Sequence, residues 1–147
     1  MTSEKIIVII TAESVFVKKS YIRRTNMAKI KAAFIGCGGR NGVHLDKCMD
    51  MGDVEFVGFC DVVEEKAYSY AARTKTDPEG KIFRNYKDLL ANTNPEVIFI
   101  AVPPHQHGEI EPAVIERGIP FLVEKPIALD MKTAESIGEM IKKKDLI

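Results

Sequence analysis

The sequence has no excess of charge of either sign. Its 147 residues contain 21 Lys and Arg and 21 Asp and Glu, so the formal net charge is zero. A protein that attracts nucleic acid or an anionic membrane through its overall electrostatic field needs a marked basic excess. We therefore expect neither of these partners, and any anion that the protein binds must be held by local geometry.

The sequence also lacks the cysteine patterns of metal sites and disulfide frameworks. Its three cysteines, Cys37, Cys48 and Cys60, are odd in number and include no Cys-x-x-Cys pair. Neither a zinc site nor a set of disulfides is predicted from such spacing. No bound metal is therefore predicted, and a reducing, cytoplasmic location is the default expectation.

Long hydrophobic runs are missing as well. The first apolar run, residues 6–10 (IIVII), is short, whereas a membrane-spanning helix needs about 20 apolar residues. The run also lacks the basic flank and the small-residue cleavage site of a signal peptide. The sequence therefore predicts neither a membrane anchor nor export.

The length fits one domain, since domains commonly have about 100 to 200 residues. Residues 1–28 are predicted to be an N-terminal extension, non-native or disordered, because KKSYIRRTN has no clear period and Met27 directly precedes the first clear strand. A native arm or an additional edge strand is the alternative. Residues 29–147 are predicted to form the folded domain, and the final DLI resembles the opening of a strand that does not continue.

From Lys29 onward, short apolar runs alternate with segments of helical period. The predicted strands are residues 30–36, 54–61, 82–83, 96–102 and 119–123, and the predicted helices lie between them and after Asp130. The first helix is expected to bury Val43 or Leu45 together with Cys48 and Met49, and the second, over residues 64–73, is expected to bury Ala67, Tyr70 and Ala71. The helix that follows the fourth strand is expected to begin near residue 107 and tolerates Pro112 only in its first turn. Runs that are apolar throughout are typical of parallel strands covered on both faces. The sequence therefore predicts an α/β fold with a doubly wound parallel sheet.

A glycine-rich loop, GCGGRNG, lies between the first predicted strand and the first predicted helix. This is the position of a dinucleotide-binding fingerprint, in which backbone amides meet a pyrophosphate at a helix N-terminus. The third glycine of the usual spacing is displaced to Gly42. The predicted cofactor-binding residues in this loop are Gly36, Cys37 (through its amide), Gly38, Gly39, Arg40 and Asn41.

An acidic residue, Asp61, ends the second predicted strand about 20 residues beyond the loop, where a carboxylate can accept hydrogen bonds from an adenosine ribose. Such a carboxylate repels a 2′-phosphate, so NAD is the predicted cofactor. NADP is the alternative, because the Arg40 guanidinium can accept that phosphate. A glycine turn without a ligand, with Asp61 capping the next helix, is the competing interpretation.

Four ordered motifs, IGCGGRNGVHL, FCD, VIFIAVPPHQH and GIPFLVEKPIA, resemble the N-terminal domain of the Gfo/Idh/MocA oxidoreductases, a family named after glucose-fructose oxidoreductase and inositol dehydrogenase. The resemblance covers residues 29–147. It implies a Rossmann fold, NAD(P) and hydride transfer at a hydroxyl carbon of a sugar, polyol or related substrate. It also implies a separate substrate domain, absent here, that carries a second catalytic group, and a full-length protein that is a homo-oligomer.

The resemblance assigns the catalytic role to Lys125, which would hydrogen-bond the substrate and assist proton movement. Pro126 would direct this lysine inward, and a solvated lysine is the alternative. Glu124 would pair with Lys125 or line the cofactor cleft, and His107 would contact the cofactor or cap the next helix. The further cofactor-binding residues implied on this side are Val102, Pro103 and Pro104.

A different functional class remains open from sequence. A non-enzymatic NAD(H)-binding sensor or regulatory module would have the same glycine loop and the same Asp61 without any need for a substrate domain. It would, however, leave Lys125 and Pro126 without a function. The fragment alone is expected to be inactive as an enzyme under the first hypothesis.

Overall fold

The structure, a computed structural model, describes residues 28–146, and the predicted N-terminal extension lies almost entirely outside this range. Five parallel strands form one sheet in the order β3-β2-β1-β4-β5. The strands are β1 Ile30–Ile35, β2 Val54–Cys60, β3 Ile82–Phe83, β4 Val97–Ile100 and β5 Phe121–Val123. This arrangement confirms the predicted doubly wound parallel sheet.

Five helices connect and follow the strands: α1 Gly39–Met51, α2 Glu64–Thr74, α3 Tyr86–Asn92, α4 Ile110–Glu116 and α5 Met131–Lys143. A short 3-10 turn, Pro104–Gln106, precedes α4. The Asp130 carboxylate accepts a hydrogen bond from the Thr133 amide and so caps α5. Within residues 28–146, no helix is both long enough and apolar enough to cross a membrane.

The two faces of the sheet bury different kinds of side chain. Phe34, Phe56, Phe59 and Tyr70 form an aromatic cluster beneath α1 and α2, with Phe34 stacked on Phe99 at 4.7 Å between ring centroids. The opposite face is mainly aliphatic and packs against α3 and α4, as Leu89, Leu90, Ile98, Ile100 and Val114 show. Helices therefore cover both faces, which explains why the strands read as continuous apolar runs.

Three sequence predictions about the elements need correction. Leu45 and Cys48 are buried on α1, as expected, but Val43 and Met49 are 54% and 40% exposed. The fourth strand ends at Ile100 rather than at residue 102, since Pro103 and Pro104 have no N–H groups to continue the ladder. α4 begins at Ile110 instead of near residue 107, which places Pro112 in its first turn, where proline is tolerated.

Candidate functional site

The candidate site lies where the chain leaves β1 and β4, which are neighbours in the sheet. After β1 the chain turns to α1 on the aromatic face, and after β4 it turns to α4 on the aliphatic face. A crevice opens at such a switch point, beyond the carboxyl ends of the strands. The Ala101 amide donates to the Ile35 carbonyl at 3.0 Å and keeps the two strand ends together.

Gly36 makes the turn at this switch point. Its φ is 84°, and a Cβ placed on it would lie 2.2 Å from the Ala101 carbonyl oxygen. A side chain is therefore excluded on both conformational and steric grounds. The tight turn predicted from the glycine pattern is confirmed by this geometry.

The beginning of α1 fits a phosphate group. Gly38 is the N-cap residue, has no side chain to bond the first amides of the helix, and is followed by a first turn without acidic residues. A Cβ added to Gly38 or Gly39 would meet no atom within 4 Å. A helix N-terminus whose first N–H groups receive no side-chain cap is the arrangement that binds phosphates in dinucleotide folds.

Asp61 lies beside the glycine loop and bonds it directly. One carboxylate oxygen accepts the Cys37 amide at 2.8 Å, and the other accepts the Val63 amide at 2.9 Å. The carboxylate therefore joins the end of β2 to the loop. It does not cap α2, because its second bond is to the amide of the N-cap residue Val63 and the helix has no side-chain cap. Each oxygen retains a lone pair for a ribose hydroxyl.

The geometry changes the expected role of Cys37. Its amide, predicted to face the pyrophosphate, is directed at Asp61 instead. Its thiol lies against the Cys60 carbonyl oxygen at 3.5 Å. Burial, followed by the charge of Asp61, raises the pKa of the Cys37 thiol well above its usual range. Since the thiolate is the reactive form, this cysteine is a packing residue.

On the other wall of the crevice, Glu124 pairs with α1 rather than with Lys125. Its Oε1 lies 2.9 Å from His44 Nε2, and its Oε2 lies 3.9 Å from Arg40 Nε. The His44 ring also stacks on Phe99, at 5.8 Å between centroids. Glu124 therefore connects the end of β5 to the first turns of α1, and Arg40 is directed at this carboxylate.

Lys125 follows Glu124 and is exposed. The Lys125–Pro126 peptide bond is cis. Lys125 makes no ion pair with any residue in the part of the chain that the structure describes. The direction of the Lys125 side chain towards a substrate therefore stays a prediction.

His107 lies beneath the crevice instead of lining it. Its Nδ1 is 2.6 Å from Glu111 Oε1, its Nε2 is 3.2 Å from the Val102 carbonyl oxygen, and both side chains of the pair are almost fully buried. Glu111 Oε2 accepts the Gly108 amide at 2.7 Å. Of the two predicted roles, the geometry favours the one that organises the start of α4, while Pro103 and Pro104 are exposed at the crevice.

Sequence reasoning missed two contributors to this site and the role of a third. The Tyr70 hydroxyl and Glu111 each bond backbone groups of the loops, and so does the Asn41 amide, which the sequence predicts only as a cofactor-binding residue. Tyr70 was expected only to face the core, and Glu111 gave no signal, because an acidic residue on a helix ordinarily faces solvent. No cluster of metal-ligating side chains occurs among residues 28–146.

Comparison with known proteins decides the family. The sequence model of the oxidoreductase family with an NAD-binding Rossmann fold, Gfo/Idh/MocA, matches residues 30–147. The chain belongs to this family. The predicted family, the Rossmann fold and NAD as the cofactor class of the domain are thereby confirmed.

Individual relatives of this Gfo/Idh/MocA chain are distant. The chain is 27% identical over 116 residues to glycosyl hydrolase family 109 protein 1 of Akkermansia muciniphila, covering 75% of this chain and 24% of that protein. It is 25% identical over 116 residues to inositol 2-dehydrogenase of Corynebacterium glutamicum, covering 79% and 34%. The chain thus spans about a quarter to a third of the length of these relatives.

Solved structures share the fold of the chain. The WlbA dehydrogenase of Chromobacterium violaceum, in complex with NADH and UDP-GlcNAcA, aligns with a TM-score of 0.72 at 20% identity, over 83% of this chain and 34% of that one. The myo-inositol 2-dehydrogenase of Lactobacillus plantarum aligns with a TM-score of 0.71 at 24% identity, over 79% and 34%. At these identities the likeness concerns the fold alone.

Proposed function

We propose that this chain is the cofactor-binding domain of an enzyme that transfers a hydride between NAD and a hydroxyl carbon of a sugar, polyol or related compound. The observation that carries the proposal is the contact between the Asp61 carboxylate and the glycine loop at the β1–β4 switch point. In this proposal residues 29–147 form the dinucleotide-binding domain, and a separate substrate domain completes the enzyme. Relatives named inositol 2-dehydrogenase support the class of substrate.

In the proposed site, the amides at the start of α1 bind the pyrophosphate and Asp61 accepts hydrogen bonds from the adenosine ribose. Bound NAD supplies the hydride acceptor or donor. Val102, Pro103 and Pro104 form one edge of the crevice for the nicotinamide side, and Glu124 holds α1 against the end of β5, which lies two residues before Lys125. Lys125 stabilises the developing negative charge on the substrate oxygen and exchanges its proton.

Replacing Asp61 should weaken NADH binding selectively. We expect Asp61→Ala to raise the Kd for NADH by about tenfold, because hydrogen bonds from the ribose to a charged acceptor are lost. The preference for NADH over NADPH should narrow as well, since the repulsion of the 2′-phosphate is removed. Calorimetric titration of the 147-residue chain with each cofactor measures both effects.

Asp77→Ala is a matched control for this experiment. Asp77 also accepts the amide two residues ahead, that of Glu79, at 3.1 Å, but it lies in an exposed turn between α2 and β3. Its removal should leave the Kd for NADH unchanged. Equal weakening by the two substitutions, or no effect of Asp61→Ala, would contradict the assigned role of Asp61.

Replacing Lys125 should impair turnover while leaving cofactor binding intact. In the complete gene product, Lys125→Met is expected to lower kcat/KM by about 100-fold, the lower end of what a general acid or base contributes. NADH formation is followed with myo-inositol and with a panel of sugars, and the Kd for NADH is measured alongside. Lys47→Met is the control, because Lys47 is an exposed lysine on α1.

The same measurement separates the enzyme from a non-enzymatic NAD(H)-binding sensor. Turnover that depends on Lys125 supports the enzyme. If the complete gene product binds NADH tightly but oxidises none of these substrates, the sensor hypothesis replaces it.

Similarity to the family 109 glycosyl hydrolases favours a second candidate function, cleavage of a glycoside with NAD as a recycled cofactor. The two functions differ in their products. Release of p-nitrophenol from nitrophenyl glycosides without net formation of NADH would support glycoside cleavage. Stoichiometric NADH formation from a free polyol or sugar would support the dehydrogenase.

A further inference from the structure

Asn41, on the first turn of α1, connects the glycine loop to the sheet. Its side chain is fully buried. Its Nδ2 lies 2.7 Å from the Gly36 carbonyl oxygen, 3.1 Å from that of Ile35 and 3.2 Å from that of Phe99. One amide group thus contacts the glycine turn, the end of β1 and β4 together.

The orientation of this amide is fixed by its surroundings. Carbonyl oxygens only accept hydrogen bonds, so the atom that faces all three must be the nitrogen, whose two hydrogens are shared among them. Asn41 Oδ1 is buried without a partner among residues 28–146. Burial of an unpaired oxygen opposes folding, which offsets the stabilisation from the three contacts. The specific effect of the Asn41 side chain is therefore to fix the position of the Gly36 carbonyl group.

The loop is also held from its other side. The Tyr70 hydroxyl donates to the Gly38 carbonyl oxygen at 2.6 Å. A Cβ at the displaced glycine, Gly42, would lie 3.3 Å from the end of the flexible Arg73 side chain and 3.5 Å from the Tyr70 hydroxyl. Asn41 occupies the place of the usual third glycine and bonds the loop.

We propose that Asn41 is a positioning residue for the pyrophosphate-binding loop, fixing the backbone from Gly36 to Gly38 so that the amides at the start of α1 face the cofactor. The inference rests on the proposed cofactor site and gives Asn41 a positioning role in place of the direct cofactor contact expected from the sequence. It has an unusual consequence. Asn41→Gly restores the common glycine spacing and yet should weaken binding, because the loop loses its connection to β1 and β4.

The test compares ligands with and without a pyrophosphate. We expect Asn41→Gly to raise the Kd of the 147-residue chain for NADH and ADP-ribose by about tenfold, the effect of one or two lost positioning contacts. The Kd for adenosine, which reaches the Asp61 side alone, should change by less than about twofold. NMR titration of the labelled chain measures all three constants, at a temperature at which circular dichroism shows each variant folded.

Two further variants keep the test decisive. Asn41→Ser retains one donor and should recover part of the NADH affinity, and it replaces Asn41→Gly if that variant does not fold. Asn92→Gly, at the exposed C-terminal residue of α3, controls for the general effect of this substitution in a helix.

The outcomes separate this inference from the proposed function. If Asn41→Gly binds NADH as well as the unaltered chain or better, or loses affinity for adenosine in the same proportion, the positioning role is wrong. If the unaltered chain binds none of the three ligands, the proposed cofactor site fails and the inference fails with it. Selective loss for the pyrophosphate ligands, with partial recovery in Asn41→Ser, supports the proposal.

Discussion

Gly36→Ala should destabilise the chain by about 4 kcal/mol, since steric overlap and an unfavourable φ angle act together. The added methyl carbon would lie 2.2 Å from the Ala101 carbonyl oxygen and 2.8 Å from the carbonyl carbon. Both are backbone atoms, so the overlap is relieved only if β1 and β4 move apart. Such a movement would break the hydrogen bond from the Ala101 amide to Ile35.

Urea unfolding followed by circular dichroism measures this loss, and Gly52→Ala provides the matched control. Gly52 follows α1 with a φ of 76°, close to the 84° of Gly36, but a Cβ there meets no atom within 4 Å. Its replacement should therefore cost only the conformational part, about 1 kcal/mol. Similar losses of stability in the two variants would show that the contact with Ala101 is not the reason why position 36 needs glycine.

Gly36 also shows which features of the site can be predicted from the sequence and which cannot. The pattern between a strand and a helix predicts a tight turn, and local chemistry suffices for that prediction. The atom that excludes a side chain, however, is a carbonyl 65 residues further along the chain, brought close because β1 pairs with β4. A contact that depends on strand order cannot be read from the loop itself.

The elements themselves follow from local periodicity. α2 was predicted over residues 64–73 with Ala67, Tyr70 and Ala71 inward, and all three are buried in Glu64–Thr74. The errors occur where polar atoms find distant partners. Pairing with its neighbour Lys125 was one of two expectations for Glu124, beside lining the cofactor cleft, and the fold brings His44 and Arg40 to it from α1 instead. Charge pairing across 80 residues leaves no local signal in the sequence.

Glu111 also differs from what the sequence suggests, because the fold buries an acidic residue that would ordinarily face solvent. Its replacement should cause the second largest loss of stability. Its side chain has no exposed surface, and its two oxygens contact His107 Nδ1 and the Gly108 amide. Glu111→Ala should destabilise the chain by about 3 kcal/mol, because removing one member of a buried pair leaves the other without a partner.

A graded series of variants tests whether hydrogen bonding, rather than side-chain volume, is responsible. In Glu111→Gln the amide oxygen can still accept from Gly108, and the amide nitrogen can donate to His107 Nδ1 while Nε2–H donates to Val102. The loss should then be only about 1 kcal/mol. Glu111→Leu fills a similar volume without polar atoms and should resemble Glu111→Ala. Glu116→Ala, an exposed position on the same helix, should change stability by less than about 0.5 kcal/mol.

The double variant Glu111→Ala, His107→Ala completes this argument. If the two side chains act as a pair, its loss of stability should be well below the sum of the two single losses, since each single variant already leaves its partner unpaired. Strict additivity in urea unfolding would mean that the residues contribute independently. Coupling would show that Glu111 and His107 act as one buried unit, which contacts the Val102 carbonyl oxygen through His107 Nε2 just before Pro103 and Pro104.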